Sequence, residues 1–244
     1  MTNKYMYFIA NWKMFGALKS LNSLYKVIKF SKNFKKRKLI KIIYCPPNTL
    51  INPMFIKFKN SKIEVGAQNC HEIDRPGAFT GSVNSMMLRN VGAKYVIIGH
   101  SENRKKGETN KLINLKIKSA LKSGLKIIFC IGETIQEKRK KITNQILNNQ
   151  IKIGLNKIKD KQNIIIAYEP VWSIGTGIIP KPRELSETIK FIKKKKNCKV
   201  LYGGSVNPKN LDNFRSINVI DGFLVGGASQ NPKKFIDIIK KTYN

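Results

Sequence analysis

Eight short apolar runs recur along the chain, and longer stretches with helical spacing lie between them. The runs are Tyr5–Ala10, Leu39–Cys45, Ile63–Ala67, Tyr95–Ile98, Lys126–Ile131, Ile164–Tyr168, Val200–Tyr202 and Gly222–Val225. They are rich in Ile, Val, Tyr and Phe and nearly continuous in apolar character, as strands buried on both faces are. Between them apolar residues return every three or four positions. Leu112, Leu115, Ile117, Ala120 and Leu121 form one such set, and Leu185, Ile189 and Ile192 another. Strand–helix alternation of this kind predicts a parallel sheet with helices outside it. Eight units in 244 residues fit an α/β fold closed into a (β/α)8 barrel, with residues 1–244 as a single domain. A doubly wound open sheet is the second reading.

The residues that follow the runs carry the candidate chemistry. Asn11 and Lys13 follow the first run, and Gly99-His100-Ser101-Glu102 the fourth. Glu169 follows the sixth, Gly203-Gly204-Ser205 the seventh and Gly226-Gly227 the eighth. The carboxyl ends of parallel barrel strands share one face, and active sites are built there. The most informative stretch runs from Ala167 to Gly177. Pro170 biases Glu169 toward extended geometry, at the tip of a strand and pointing outward. Gly175 and Gly177 permit backbone shapes that other residues resist and leave N–H groups bare for a ligand. A general base beside a mobile, anion-binding lid (Ser173, Ile174, Gly175, Thr176, Gly177) is the chemistry this pattern suggests. Gly-Gly turns after two consecutive strands, one followed by Ser205, suit a phosphate held by backbone N–H groups and a helix N-terminus.

Charge tests that picture. The chain carries 47 Lys plus Arg against 14 Asp plus Glu, a formal net charge of +33. A basic, nucleic-acid-binding barrel protein is one reading of that balance. The basic runs Lys35-Lys36-Arg37-Lys38, Lys138-Arg139-Lys140-Lys141 and Lys193 to Lys196 are scattered, however. The first and last precede strand-like runs, where helices end and lysines complement the helix dipole. No aromatic residues interleave with them as a stacking platform requires. Compositional drift toward Lys, Asn and Ile accounts for the charge, and no specific nucleic-acid partner is expected.

Cys45, Cys70, Cys130 and Cys198 are widely spaced, with no Cys-x-x-Cys, so neither a metal site nor a disulfide framework is expected. Buried thiols in a reducing compartment follow. Tyr5 to Ala10 is too short for an export signal, and no apolar stretch approaches a membrane span. A soluble, cytoplasmic protein with no membrane partner is the expectation. Among single residues, His100 between Gly99 and Ser101 reads as catalytic, and His71 as structural or surface. Lys13 is marked by its place directly after the first strand. Glu133 reads as a carboxylate in the first turn of a helix, where the dipole favours it. Trp172, in the lid's first turn, reads as a hinge anchor.

Together these motifs resemble one family. Asn11-Trp12-Lys13-Met14, Gly77 to Gly81, Gly99 to Glu102, Cys130 to Glu133, Ala167 to Gly177, Tyr202 to Val206 and Gly226-Gly227 look like those of triosephosphate isomerases. They stand in order from about Phe8 to Ala228, essentially the whole chain. The resemblance implies the TIM-barrel fold and interconversion of dihydroxyacetone phosphate and D-glyceraldehyde 3-phosphate, in glycolysis and gluconeogenesis. It implies Glu169 as the base, with His100 and Lys13 stabilising the enediolate's oxygens. Asn11 would orient substrate and Lys13, and Glu102 would support Lys13 and His100. Phosphate would lie against Gly175, Ser205, Gly226 and Gly227 under the lid. No metal or organic cofactor is implied. A homodimer is implied, with the loop from about Gln68 to Ser85 reaching into the second subunit.

The chain also departs from the family's pattern. Phe15 stands where Asn usually follows Met. Asn103 replaces an Arg, and Ser82 a Glu, that can pair across the dimer interface. Loss of that pair implies a slightly weaker interface. Ile178-Ile179-Pro180 replaces a more polar second hinge, and a proline there fixes one torsion of lid opening.

Overall fold

Burial on both faces and hydrogen bonding to two neighbours are what the apolar runs can satisfy only in a parallel sheet with no free edge. A computed structural model, which describes residues 2–160, 162–214 and 216–243, has that architecture. Strands β1 (Met6–Asn11), β2 (Ile40–Cys45), β3 (Glu64–Ala67), β4 (Tyr95–Ile98), β5 (Lys126–Ile131), β6 (Ile164–Tyr168), β7 (Lys199–Tyr202) and β8 (Gly222–Val225) pair in sequence order. β8 returns to β1, with Tyr7 opposite Gly222 and Ala10 opposite Val225, and the barrel closes. The open-sheet alternative falls with that closure.

The helices between the strands are α1 (Tyr25–Asn33), α2 (Ile51–Phe58), α3 (Ser85–Asn90), α4 (Ser101–Lys105), α5 (Asn110–Lys122), α6 (Ile135–Arg139), α7 (Thr143–Gly154), α8 (Pro182–Lys195) and α9 (Pro232–Tyr243). Between β7 and β8 the described residues form only a 3-10 turn, Leu211–Phe214. Asn207, Pro208, Asn210 and Asn213 explain the turn structure. Asn207 and Asn210 fold back on neighbouring backbone groups and compete with helical bonds.

Alternation along each strand divides the core in two. Ile9, Ile43, Cys45, Ile97, Ile128, Cys130, Ile165, Ala167, Leu201 and Leu224 pack together inside the barrel. Their neighbours, such as Phe8, Tyr44, Val96, Phe129, Ile166 and Val225, pack outward against the helices. α8 buries Leu185, Ile189 and Ile192, as its spacing predicts. α5 is a helix as expected, but turned. Ile113, Ile117 and Ala120 are buried and Leu115 is half exposed. Polar residues hold that orientation. Asn114 donates to Gly154 O at 2.9 Å and Asn156 O at 3.0 Å, and Lys116 pairs with Glu108.

The first basic run follows α1, and Lys193 to Lys195 occupy the last turn of α8. Lys193 is also paired, 2.6 Å from Asp221, which Lys4 approaches to 2.6 Å. All four cysteines are free thiols, and Cys45 and Cys70 are buried. Burial alone pushes the Cys45 thiol far up, and burial pushes Cys70 to about 12, so neither ionises readily. No helix among the described residues is long and apolar enough to cross a membrane.

Candidate active site

The alternation that fills the barrel interior continues one layer past it. Counting two residues on from Ile9, Ala167, Ile97, Cys130, Leu201 and Leu224 gives Asn11, Glu169, Gly99, Gly132, Gly203 and Gly226. At the carboxyl ends of these six strands the next inward position is thus a polar side chain twice and a glycine four times. Absent side chains leave a cavity of about 240 Å³ there. Asn11, Lys13, His100, Glu169, Ile174, Gly175, Ser205, Gly226 and Gly227 line it. Every residue assigned above to catalysis or phosphate binding therefore shares one cavity.

Glu169 follows β6 directly and is only 2% exposed. Its Oε1 lies 3.3 Å from His100 Nε2, and its Oε2 accepts the Ser101 N–H at 3.4 Å. The expectation that Glu169 points outward holds along the strand, toward the mouth, but not toward solvent. Burial raises its pKa, against opposing pulls from His100, the Ser101 N–H, Cys130 and Lys13. Two glycines make room for it. A Cβ on Gly132 would lie 1.8 Å from Glu169 O, and one on Gly203 2.8 Å from Glu169 Cγ. Gly203 therefore serves the carboxylate directly, beyond the phosphate turn it was read as.

His100 caps α4, and its Nδ1 accepts the Glu102 N–H at 3.2 Å. A ring nitrogen that accepts a hydrogen bond carries no proton, so the proton sits on Nε2, facing Glu169 and the cavity. Lys13 has a left-handed backbone, φ 55°, and its N–H donates to Asn11 Oδ1 at 3.0 Å. Its Nζ is 2.5 Å from Glu102 Oε1. Partial burial raises the Glu102 carboxyl, but the hydrogen bond and charge of Lys13 work against that, and it stays below its ordinary value. One supporting residue escaped the sequence reading. Gln68 donates from one amide nitrogen to Lys13 O at 2.8 Å and to Cys45 O at 2.9 Å, pinning the strained Lys13 turn. Its signal is the same alternation, two residues past Gly66 in β3.

The lid rises from a 3-10 turn, Val171–Ser173, and Gly175 and Gly177 have φ of 72° and 79°. Trp172 Nε1 donates to Glu133 Oε1 at 2.9 Å, and Lys138 Nζ stands 3.9 Å above its ring. Trp172 is the anchor its position suggested. Glu133 is not a helix-turn carboxylate, for it precedes the Thr134 cap of α6, and Glu137 occupies the first turn. It is 1% exposed and also accepts from Tyr168 OH at 3.1 Å. A buried carboxylate needs such donors, and the lid's tryptophan supplies one. His71 is structural, accepting the Ile73 N–H at 3.2 Å and lying 4.5 Å from the Phe79 ring.

A buried carboxylate, a protonated imidazole nitrogen and a lysine around one cavity, beside glycine turns and the short 3-10 turn Gly227–Gln230, can remove a carbon-bound proton from an anchored anion. Comparisons agree. The family described as "Triosephosphate isomerase" matches residues 6–242. Triosephosphate isomerase of Dictyoglomus thermophilum is 40% identical, covering 95% of this chain and 97% of its own. That of Zygosaccharomyces bailii is 39% identical over 94% and 95%. The crystal structure of triosephosphate isomerase from Bartonella henselae superposes with a TM-score of 0.88 at 32% identity, covering 98% of this chain and all of that one. The chain belongs to the triosephosphate isomerase family.

Proposed function

We propose that the protein interconverts dihydroxyacetone phosphate and D-glyceraldehyde 3-phosphate, a step of glycolysis and gluconeogenesis. The observation that carries this reading is the facing pair Glu169 and His100 Nε2, 3.3 Å apart, in the cavity that Ser205, Gly226 and Gly227 also line. Glu169 takes the proton from the carbon beside the carbonyl. The C–H electron pair becomes a carbon–carbon double bond, and the carbonyl oxygen takes up negative charge. His100 donates to that oxygen from Nε2, Lys13 supplies fixed positive charge, and Asn11 holds Lys13 and orients the substrate. The hydroxyl proton on the first carbon passes to that oxygen, Glu169 returns its proton to the former carbonyl carbon, and the carbonyl then stands on the first carbon. Glu102 supports Lys13 and His100. N–H groups of Gly175, Ser205, Gly226 and Gly227 hold the phosphate, and the lid from Ser173 to Gly177 excludes water.

The working unit in this reading is a homodimer in the cytoplasm. Support comes from exposed apolar side chains on the loops after β1 and β3 and at the start of α3: Met14, Phe15, Leu18, Phe79, Met86 and Met87, with Met14 94% exposed. A second copy covering them would remove a large apolar surface from water. Ser82 and Asn103 offer no charge pair at that face. Free thiols suit a reducing compartment. Sedimentation at micromolar concentration tests the dimer, and a monomer under those conditions refutes it. For the activity, isomerisation of dihydroxyacetone phosphate is measured for the wild type and Glu169→Gln. Comparable rates in both, or none in the wild type, overturn the proposal.

A further inference from the structure

Ser173 stands at the foot of the lid, fully buried, and its hydroxyl meets three residues on two segments. It donates to Ile178 O at 2.5 Å, across the lid. Tyr202 OH lies 2.9 Å away, and the Ser205 N–H points at Ser173 Oγ from 3.4 Å. With the serine proton engaged by Ile178, Tyr202 is the donor in the second contact. Thr176 repeats the bridge nearer the tip. Its hydroxyl donates to Trp172 O at 3.1 Å and accepts the Ile178 N–H at 3.2 Å. The two limbs are therefore tied twice, with only Ile174 to Gly177 between Ser173 and Ile178. Gly204 leaves space for this knot, since a Cβ there would lie 2.3 Å from Tyr202 OH and 2.7 Å from Ser173 Oγ.

We propose that Ser173 is a positioning residue for the isomerisation. Its hydroxyl locks the limbs of the lid into one preformed loop and, through Tyr202 OH, moors that loop to the end of β7, beside the turn carrying Ser205. Gly175 then meets the substrate phosphate at a set distance from Ser205, and little loop ordering remains to be done on binding. The inference rests on the isomerase reading above and deepens it.

The test compares Ser173→Ala with the wild type, with Glu169→Gln as the inactive control, in three measurements. These are KM for dihydroxyacetone phosphate, inhibition by inorganic phosphate, and the share of turnovers that release phosphate. In that side reaction the C–O bond to phosphate breaks and its electron pair leaves with the phosphate, which a loosely held lid permits. Losing one buried hydrogen-bonded hydroxyl should raise KM and the phosphate inhibition constant by about threefold to tenfold. Phosphate release should rise, and kcat should fall by less than KM rises. A lower melting temperature with unchanged KM and phosphate release would mean a merely structural serine and overturns the inference. An inactive wild type instead overturns the isomerase reading.

Discussion

Gly203 is where the barrel interior, Glu169 as the proposed base and the proposed phosphate turn crowd together, so adding one methyl group there isolates the position of that carboxylate. A Cβ on Gly203 would stand 2.8 Å from Glu169 Cγ and 3.5 Å from Leu224 Cβ. Comfortable carbon–carbon contact begins at about 3.5 Å, so Leu224 is undisturbed while the glutamate arm must retreat by roughly 0.7 Å. It can do so by side-chain rotation, which moves the carboxylate off its present place 3.3 Å from His100 Nε2. A misplacement near 1 Å costs about a hundredfold in rate, so Gly203→Ala should lower kcat by about thirtyfold to a hundredfold. Its cost in stability should be about 1 kcal/mol, or roughly 2–4 °C in melting temperature. Gly132→Ala is the contrast. There the methyl would lie 1.8 Å from the backbone oxygen of Glu169 and 2.6 Å from its carbonyl carbon. No rotation relieves that overlap, so fold and activity should fail together. Coupled isomerase kinetics beside thermal unfolding by circular dichroism separate the two outcomes. Wild-type kcat in folded Gly203→Ala would refute the claim that this glycine sets the base.

Other parts of the molecule give sharp expectations too. Tyr44 OH is buried with no hydrogen-bond partner among the described residues, and its ring sits 5.9 Å from Trp12, 5.5 Å from Phe58 and 5.4 Å from Phe235. Tyr44→Phe keeps those ring contacts and removes the unpaired hydroxyl, so unfolding free energy should rise by about 1 kcal/mol; a drop in urea denaturation would contradict this. Asp221 is pushed up by burial but held below its ordinary value overall by Lys193, Lys4 and the Val200 N–H. A depressed carboxyl stabilises the fold above its unfolded pKa, and that stability is lost as pH falls through the folded value. Asp221→Asn should therefore cost about 2 kcal/mol at neutral pH, a deficit that narrows in acid; a constant deficit across pH would refute the linkage. For Glu169, carbon NMR of carboxyl-labelled glutamate, assigned by the signal lost in Glu169→Gln, should give a midpoint above the ordinary 4.5. A midpoint at or below it would mean that burial does not dominate.

How far the sequence foretold this arrangement depends on what held each residue. Strand positions were legible because burial on both faces forces a nearly unbroken apolar run, and Tyr95–Ile98, Lys126–Ile131 and Ile164–Tyr168 are strands at the ends expected. Glu169, His100 and Lys13 were legible because polar residues directly after such runs have a single place to go in a parallel barrel. The face of α5 was not, since Asn114 and Lys116 are buried by partners some forty positions away or across a turn, Gly154, Asn69 and Glu108 among them. Glu133 was misread for a similar reason. Its donors, Tyr168 and Trp172, lie more than thirty residues on, so local pattern offered only the helix dipole.

The charged groups and the cavity have one origin. Inside the barrel every second residue must be apolar and must fill space, because a closed ring of strands has no other way to exclude water. One layer higher the same period brings Asn11 and Glu169 inward, and glycine at 99, 132, 203 and 226. Were those four positions filled, the layer would be another stratum of core, and Glu169 would have no room beside Gly132 and Gly203. Leaving them empty gives up packing there, and it yields a desolvated carboxylate whose pKa is raised toward that of a working base. The proposed catalytic machinery is thus a continuation of the core with its side chains removed. Lys13 with its left-handed turn and Ser173 with its knot of hydrogen bonds stand beyond that layer and have separate braces, Gln68 for the first and Tyr202 for the second.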